Sequence, residues 1–242
     1  MTVTRRVALG ASAGLLAAPA LRAQPADVIR IGVLTDLSGP YQDLAGPLAV
    51  KAAAAGVMAE LRRSGADLKW VDPANLHLTL KFLGESPPER LAGITAALER
   101  VCAGAAPLAL SAAGAGAFPG LARPQVVWLG LTGQVAELAA LAGAIEAAMT
   151  GLGFPPEGRA FQAHLTLARA RRGRGRGQPA PPPRAPAQGL AQALAGLAAW
   201  RGPEFSAARV ALLESTLTPR GPLYRPRWRY ALGRGPLAEA AC

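Results

Sequence analysis

Histidine is almost missing from this chain. Its 242 residues include only two, His77 and His164. Lysine is scarce as well: Lys51, Lys69 and Lys81 are the only ones, so the 26 basic residues are mostly arginine. Two cysteines, Cys102 and Cys242, do not make a disulfide framework. No CxxC or HExxH pattern occurs, and neither histidine has a tight carboxylate cluster beside it. A protein-built metal site is therefore not expected, and no cofactor is implied. The N-terminal apolar run, Val7 to Ala18, is too short to span a bilayer, so no stable membrane association is expected.

What is abundant is positive charge, with a formal balance of +11. Such a balance favours phosphate-bearing partners through Coulomb attraction and counterion release. Arginine-rich usage in a GC-rich genome accounts for it equally well. About half of the residues are hydrophobic, enough for one sizeable core. The excess of Ala, Gly and Pro is partly linker. Residues 170–189, "ARRGRGRGQPAPPPRAPAQG", are low in complexity and cannot bury a core.

The chain divides by style. Residues 1–25 place Arg5 and Arg6 before an apolar run and small residues, the form of an export signal with a twin-arginine flavour. Residues 26–56 include "IRIGVLTDLSGPYQDLAGP", β-rich at first and helical in spacing after Pro47. From Val57 onward the pattern predicts a helix, then strands over "DLKWV" and "LHLTLKFLG". A helix follows, with Ser86 as its cap and Leu91, Ile94, Leu98 and Val101 on one face. Two strands come next, "PLALSAAGAGAF" and "PQVVWLGLTG", and then a helix with Leu138, Leu141, Ile145 and Met149 inward. "FQAHLTLARA" is a strand, "LAQALAGLAAW" a helix, and "FSAARVALLEST" and "PLYRPRWRYAL" are two last strands. In the last one, Arg225, Arg227 and Arg229 are expected in solvent, with Trp228 and Tyr230 in the core.

Both histidines stand in the same word, HLTL. Strand side chains alternate between faces, so His77 and Thr79 point one way while Leu76, Leu78 and Leu80 point the other. His164 and Thr166 repeat this against Leu165 and Leu167. Each strand offers an imidazole beside a hydroxyl, on a backbone held by buried leucines. Two imidazoles at one cleft form an acid–base pair near pH 7, one protonated and one neutral. That suits phosphodiester chemistry, with threonine hydroxyls donating to the phosphate oxygens. A single HxT would mean little; two copies that use every histidine are far harder to read as ordinary core positions.

Four other stretches add weaker candidates. Lys81 is expected on the face of His77 and Thr79, where it could meet phosphate. Arg169 and Arg171 follow the second copy and could track an RNA backbone. Phe118 and Phe161 could stack on a terminal base, although core packing suits both.

The pair "HLTLKFLGE" and "HLTLAR" resembles the 2H phosphoesterases, and most of all their bacterial RNA 2′,3′-cyclic phosphodiesterase (2′-5′ RNA ligase-like) members. "GADLKWVDPANLHLTLKFLGE", "AFPGLARPQVVWLGL" and "RVALLESTLTPRGPLY" extend the likeness over residues 57–242. The resemblance implies an α+β fold of two pseudo-symmetric lobes, antiparallel sheets with helices outside, and HxTx motifs lining a central cleft. It implies metal-independent opening of an RNA 2′,3′-cyclic phosphate end to a 2′-phosphate, by a monomer. His77 would then be the proton donor, His164 the proton acceptor, and Thr79 and Thr166 the phosphate holders. Members of that family start with a strand of the type "RLFVAI", which this sequence does not show; "IRIGVLTDL" is a possible substitute. Residues 1–50 resemble instead the N-terminus of periplasmic substrate-binding proteins of amino-acid ABC transporters. The alternative reading is thus an exported binding-protein fragment without catalysis. The enzyme reading predicts a cytoplasmic protein; a working signal would make it periplasmic.

Overall fold

The computed structural model describes residues 29–35, 46–171, 187–218, 221–233 and 235–236. The signal-like segment 1–25 and most of the low-complexity stretch 170–189 lie outside the described residues. Ten strands form one sheet, all neighbours antiparallel. They are β1 (Ile29–Thr35), β2 (Leu68–Trp70), β3 (Leu78–Ser86), β4 (Leu108–Phe118), β5 (Val126–Gly133), β6 (His164–Ala170), β7 (Arg201–Ala207), β8 (Arg209–Thr218), β9 (Gly221–Ala231) and β10 (Gly235–Pro236). Four helices accompany them: α1 (Gly46–Arg62), α2 (Leu91–Ala103), α3 (Val135–Gly151) and α4 (Ala187–Gly196).

The spatial order is β10-β9-β8-β1-β3-β6-β5-β4-β7, with β2 pairing β6 off this path. The two motif strands, β3 and β6, lie side by side at its middle. They share one register pair, Leu78 opposite Leu165. On one side of this seam are β1, β8, β9 and β10, backed by α3 on β3 and α2 on β9; on the other are β5, β4 and β7, backed by α4 on β4 and α1 on β7. This is an α+β architecture of two lobes with helices outside. The sheet is continuous across the seam, so the lobes join through the motif strands themselves.

The leucines of both motifs face the helices. Leu76, Leu78, Leu80, Leu165 and Leu167 are all buried, in one cluster with Ile94, Leu98, Leu138, Leu141, Ile145 and Met149. The helical faces read from sequence therefore meet the strand faces read from sequence. β1 pairs with both β3 and β8, which puts a strand beside the first motif.

Several elements differ from expectation. The helical spacing after Pro47 and the helix expected from Val57 are one continuous helix from Gly46, with Val50, Ala54 and Val57 on one buried side. Ser86 caps no helix; it ends β3, and two prolines open a 3-10 turn, Pro88–Arg90, before α2. "FSAARVALLEST" is two strands, since the chain leaves the edge of one lobe at Ala207 and joins the other at Arg209. Tyr230 is in the core, but Trp228 is 45% exposed, at a surface groove that it lines with Leu91, Thr95 and Pro226.

The seam yields a stability prediction. Leu165 is fully buried at the register pair, so Leu165→Ala should cost about 2–5 kcal/mol through lost burial and a residual cavity. Leu223→Ala, on a residue 63% exposed, should stay within about 0.5 kcal/mol. Urea unfolding of both variants checks the contrast; equal losses would mean the seam is not where the core is tight.

Candidate active site

The antiparallel seam decides how the motifs meet. Extending the pair Leu78–Leu165 by one residue each way sets His77 abreast of Thr166 and Thr79 abreast of His164. Each imidazole thus stands across from the other motif's hydroxyl. All four residues are half-buried, on the face away from the leucines.

The two imidazoles are held alike. His77 Nδ1 lies 2.7 Å from the Asn75 carbonyl oxygen, and His164 Nδ1 lies 2.7 Å from the Gln162 carbonyl oxygen. A carbonyl only accepts, so each Nδ1 carries its proton and donates it two residues back. That leaves each Nε2 as the reactive nitrogen, a lone pair when neutral and a donor when charged. An aromatic edge-to-face contact completes each holder: Tyr224 on His77, with centroids 5.1 Å apart at 74°, and Phe118 on His164, 5.1 Å apart at 87°. Phe118 also tilts against Trp128, whose ring packs on Gly116. A Cβ at position 116 would come within 2.4 Å of that indole, so only glycine admits it.

Burial, opposed by the bond to the Asn75 carbonyl, drives the His77 pKa below its usual value, and the charges of Arg169 and His164 push the same way. Burial likewise lowers His164, opposed by the Gln162 carbonyl and helped by Arg169. The positive charge of Arg169 therefore reaches both imidazoles. Arg171, expected to share its work, is drawn away into an exposed ion pair with Asp67 at 2.6 Å. Phe161 is half-buried and packs against the core cluster.

Lys81 does not sit on the histidine face. β3 carries a bulge at Leu80: Leu34 pairs with Thr79 and Val33 with Lys81. β6 has one at the matching residue, Leu167, between the pairs Trp128–Thr166 and Val127–Ala168. Each bulge puts two successive residues on the core side, Leu80 with Lys81 and Leu167 with Ala168. Lys81 is 5% exposed and donates to Glu146 Oε1 and the Pro155 carbonyl, both at 2.8 Å. Glu146 also accepts the Glu157 backbone N–H at 2.8 Å. Burial pushes the Glu146 carboxyl up, but the Lys81 and Glu157 hydrogen bonds and the Lys81 charge outweigh it and hold it below the usual range. The pair ties the first motif strand to the segment that leads into the second.

After each bulge the alternation resumes on the site face, with Phe82 on β3 and Arg169 on β6. Phe82 is 63% exposed, and its ring lies against Gly32. Strict alternation from His77 missed Phe82, because a bulge leaves no mark in one sequence. Tyr224 was missed too: it arrives from the β8–β9 hairpin, far along the chain. Comparing the two HLTL copies residue by residue would have flagged Phe82 as the counterpart of Arg169.

Two half-buried imidazoles, two hydroxyls and one arginine charge around a seam between lobes are the groups that phosphoester chemistry calls for. A family model described as LigT like Phosphoesterase matches residues 46–128 and 129–224. The chain belongs to the LigT-like phosphoesterase family, whose 2H members the motif pair resembles. An RNA 2′,3′-cyclic phosphodiesterase of Aeropyrum pernix is 40% identical over 125 residues, covering 47% of this chain and 66% of that protein. One from Archaeoglobus fulgidus is 34% identical over 158 residues, covering 65% and 80%. The crystal structure of TT0787 from Thermus thermophilus superposes with a TM-score of 0.63 at 28% identity, covering 84% of this chain and 98% of that one. Escherichia coli LigT, complexed with 3′-AMP, shares the fold with a TM-score of 0.59 at 22% identity, covering 85% and 99%.

The charges around the site generate two predictions. In the fold both histidines have lowered pKa values, so the unfolded chain binds more protons just below pH ~6.5. Their contribution to stability is full above that pH and is lost as pH falls from ~6.5 through the folded-state values. The drop in urea midpoint between pH 7.5 and 5 should shrink in the His77→Ala/His164→Ala double variant; an unchanged drop would place its origin elsewhere. At the buried pair, Glu146→Gln strands the ammonium of Lys81 and should cost about 3–5 kcal/mol. Lys81→Met fills similar space and leaves a partly exposed carboxylate, so it should cost less than about 1.5 kcal/mol. The reverse order in unfolding measurements would overturn this account of the pair.

Proposed function

We propose that this protein hydrolyses RNA 2′,3′-cyclic phosphate ends to 2′-phosphate ends, by a two-histidine acid–base mechanism without a metal. The observation that carries this reading is the matched setting of His77 and His164, each with Nδ1 tied to the carbonyl two residues back and Nε2 left for chemistry. The names of the Aeropyrum and Archaeoglobus relatives supply the substrate class. Among the described residues, no group of three or more His, Cys, Asp or Glu side chains could hold a metal ion.

In this mechanism neutral His164 takes a proton from water through Nε2 as the water oxygen attacks phosphorus. The bond from phosphorus to the ribose 3′-oxygen breaks, and the Nε2–H of protonated His77 delivers a proton to that oxygen. The product is a 2′-phosphomonoester with a free 3′-hydroxyl, and the two histidines have exchanged protonation states. Thr79 and Thr166 donate to the non-bridging oxygens, and Arg169 neutralises the charge gathering there. Phe82, exposed on the same face, offers a ring to the terminal base. The protein acts as a monomer on cytoplasmic RNA in this reading.

The pH profile tests it with a definite sign. Both histidines are lowered in the free enzyme, so kcat/KM should follow a bell whose centre lies below pH ~6.5. An anionic phosphate in the site favours the imidazolium, so the kcat bell should lie at higher pH. Activity should survive a chelator. His77→Ala and His164→Ala should each lose about 100- to 10,000-fold, and the two losses should not add. An activated phenolate leaving group needs no proton, so it should rescue His77→Ala and not His164→Ala. Rescue of His164→Ala instead would reverse the roles, and full activity in either variant would end the catalytic reading.

A further inference from the structure

Tyr224 and Phe118 do the same packing job on opposite motifs. Each presents a ring edge-on to an imidazole at the same 5.1 Å. Phe118 shows that a bare ring suffices for that contact. Tyr224 adds a hydroxyl that the packing does not need. The hydroxyl has no hydrogen-bond partner among the described residues. Tyr224 is half-buried, so the group is neither sealed in the core nor fully given to solvent. Burial pushes its phenol pKa up, while the Arg169 charge pulls the other way; that guanidinium therefore acts on Tyr224 as it does on both histidines. Tyr224 is in ring contact with His77, and these two and His164 all feel the one cation. An anion that meets Arg169 there is within the reach of the phenol.

We propose that the Tyr224 hydroxyl is a sixth polar contact of the site, donating a hydrogen bond to a non-bridging oxygen of the phosphate held between His77 and Arg169. This deepens the cyclic phosphodiesterase reading and rests on it. The hairpin of β8 and β9 thereby becomes part of the substrate site, and a ligand phosphate links it to the second lobe. A phenol suits this place. It donates while staying neutral across the working pH range, so it stabilises the phosphate without adding a charge that would lower His77 further.

The experiment uses the full chain and Tyr224→Phe, which keeps the ring contact and removes only the hydroxyl. Loss of a hydrogen bond to a charged oxygen should lower kcat/KM about 10- to 100-fold. A phosphate oxygen is common to all substrates, so the loss should be alike for an RNA 2′,3′-cyclic phosphate end and for a diester with a phenolate leaving group. The pH limbs should keep their positions, because the ring still holds His77. Undiminished activity overturns the proposal. So does a loss confined to the ribose leaving group, which would make the hydroxyl a helper of the proton donor, or a shifted pH limb, which would make it a prop for the imidazole. If the urea midpoint of Tyr224→Phe drops, inorganic phosphate binding by calorimetry on the folded protein decides instead: weaker binding than wild type supports the contact and equal binding overturns it. His77→Ala is the control that separates the two readings. An active His77→Ala strikes the cyclic phosphodiesterase reading, whereas an inactive His77→Ala with a fully active Tyr224→Phe strikes only the phenol.

Discussion

The single contact between Leu78 and Leu165 carries the rest of the molecule. It is where two antiparallel lobes become one sheet, and it sets the register of both motifs at once. A slip of one residue in either strand would turn its histidine and threonine into the helices and its leucines into solvent. The leucines forbid that slip, since five of them are buried against α2 and α3 and their neighbours. Burying five leucines also fixes the backbone that carries the imidazoles, whose rings are then oriented by the Asn75 and Gln162 carbonyls and by Tyr224 and Phe118. The same apolar packing that makes the fold thus sets the geometry of the polar groups.

Much of this could be read from the chain because both signals are periodic. The alternation of HLTL placed the histidines and threonines together, and the 3.6 spacing of Leu138, Leu141, Ile145 and Met149 placed the helix that covers the leucines on the opposite face. What could not be read is where a period breaks. The bulges at Leu80 and Leu167 each add one residue to a strand without any change in residue type. Lys81 was expected beside His77 for that reason alone, and the break sends it to Glu146 instead. Tyr224 was illegible for another reason. Its place depends on the folding back of a long hairpin, which is a property of the whole sheet and not of the segment.

The bulges also explain how a near-repeat serves an asymmetric task. Both strands return to the site face at the same step after the motif, but one presents Phe82 and the other Arg169. The first lobe therefore offers an apolar ring, and the second a fixed positive charge. A second difference, of the opposite sense, lies in the rings that hold the imidazoles, a phenol on His77 and a phenyl on His164. Chemistry that needs an acid at one end of a bond and a base at the other requires such differences, since two identical settings would give two histidines with the same preference for the proton.

Electrostatics then decides when the site is armed. Both imidazoles are depressed by burial, and Arg169 adds to the depression. Alone, the site resists taking up the one proton it needs. In the proposed mechanism a bound phosphate diester brings negative charge to the imidazoles that the Arg169 charge reaches, and it offsets the arginine there. Protonation of one imidazole becomes favourable when the anion is present, and the second imidazole, now beside an imidazolium, is held neutral by like-charge repulsion. In the proposed mechanism, substrate thus creates the acid–base pair that acts on it. On that mechanism a neutral ligand of the same shape would fill the cleft without arming it, so selectivity for an anionic ester would come from the proton affinity of the site as well as from its contacts.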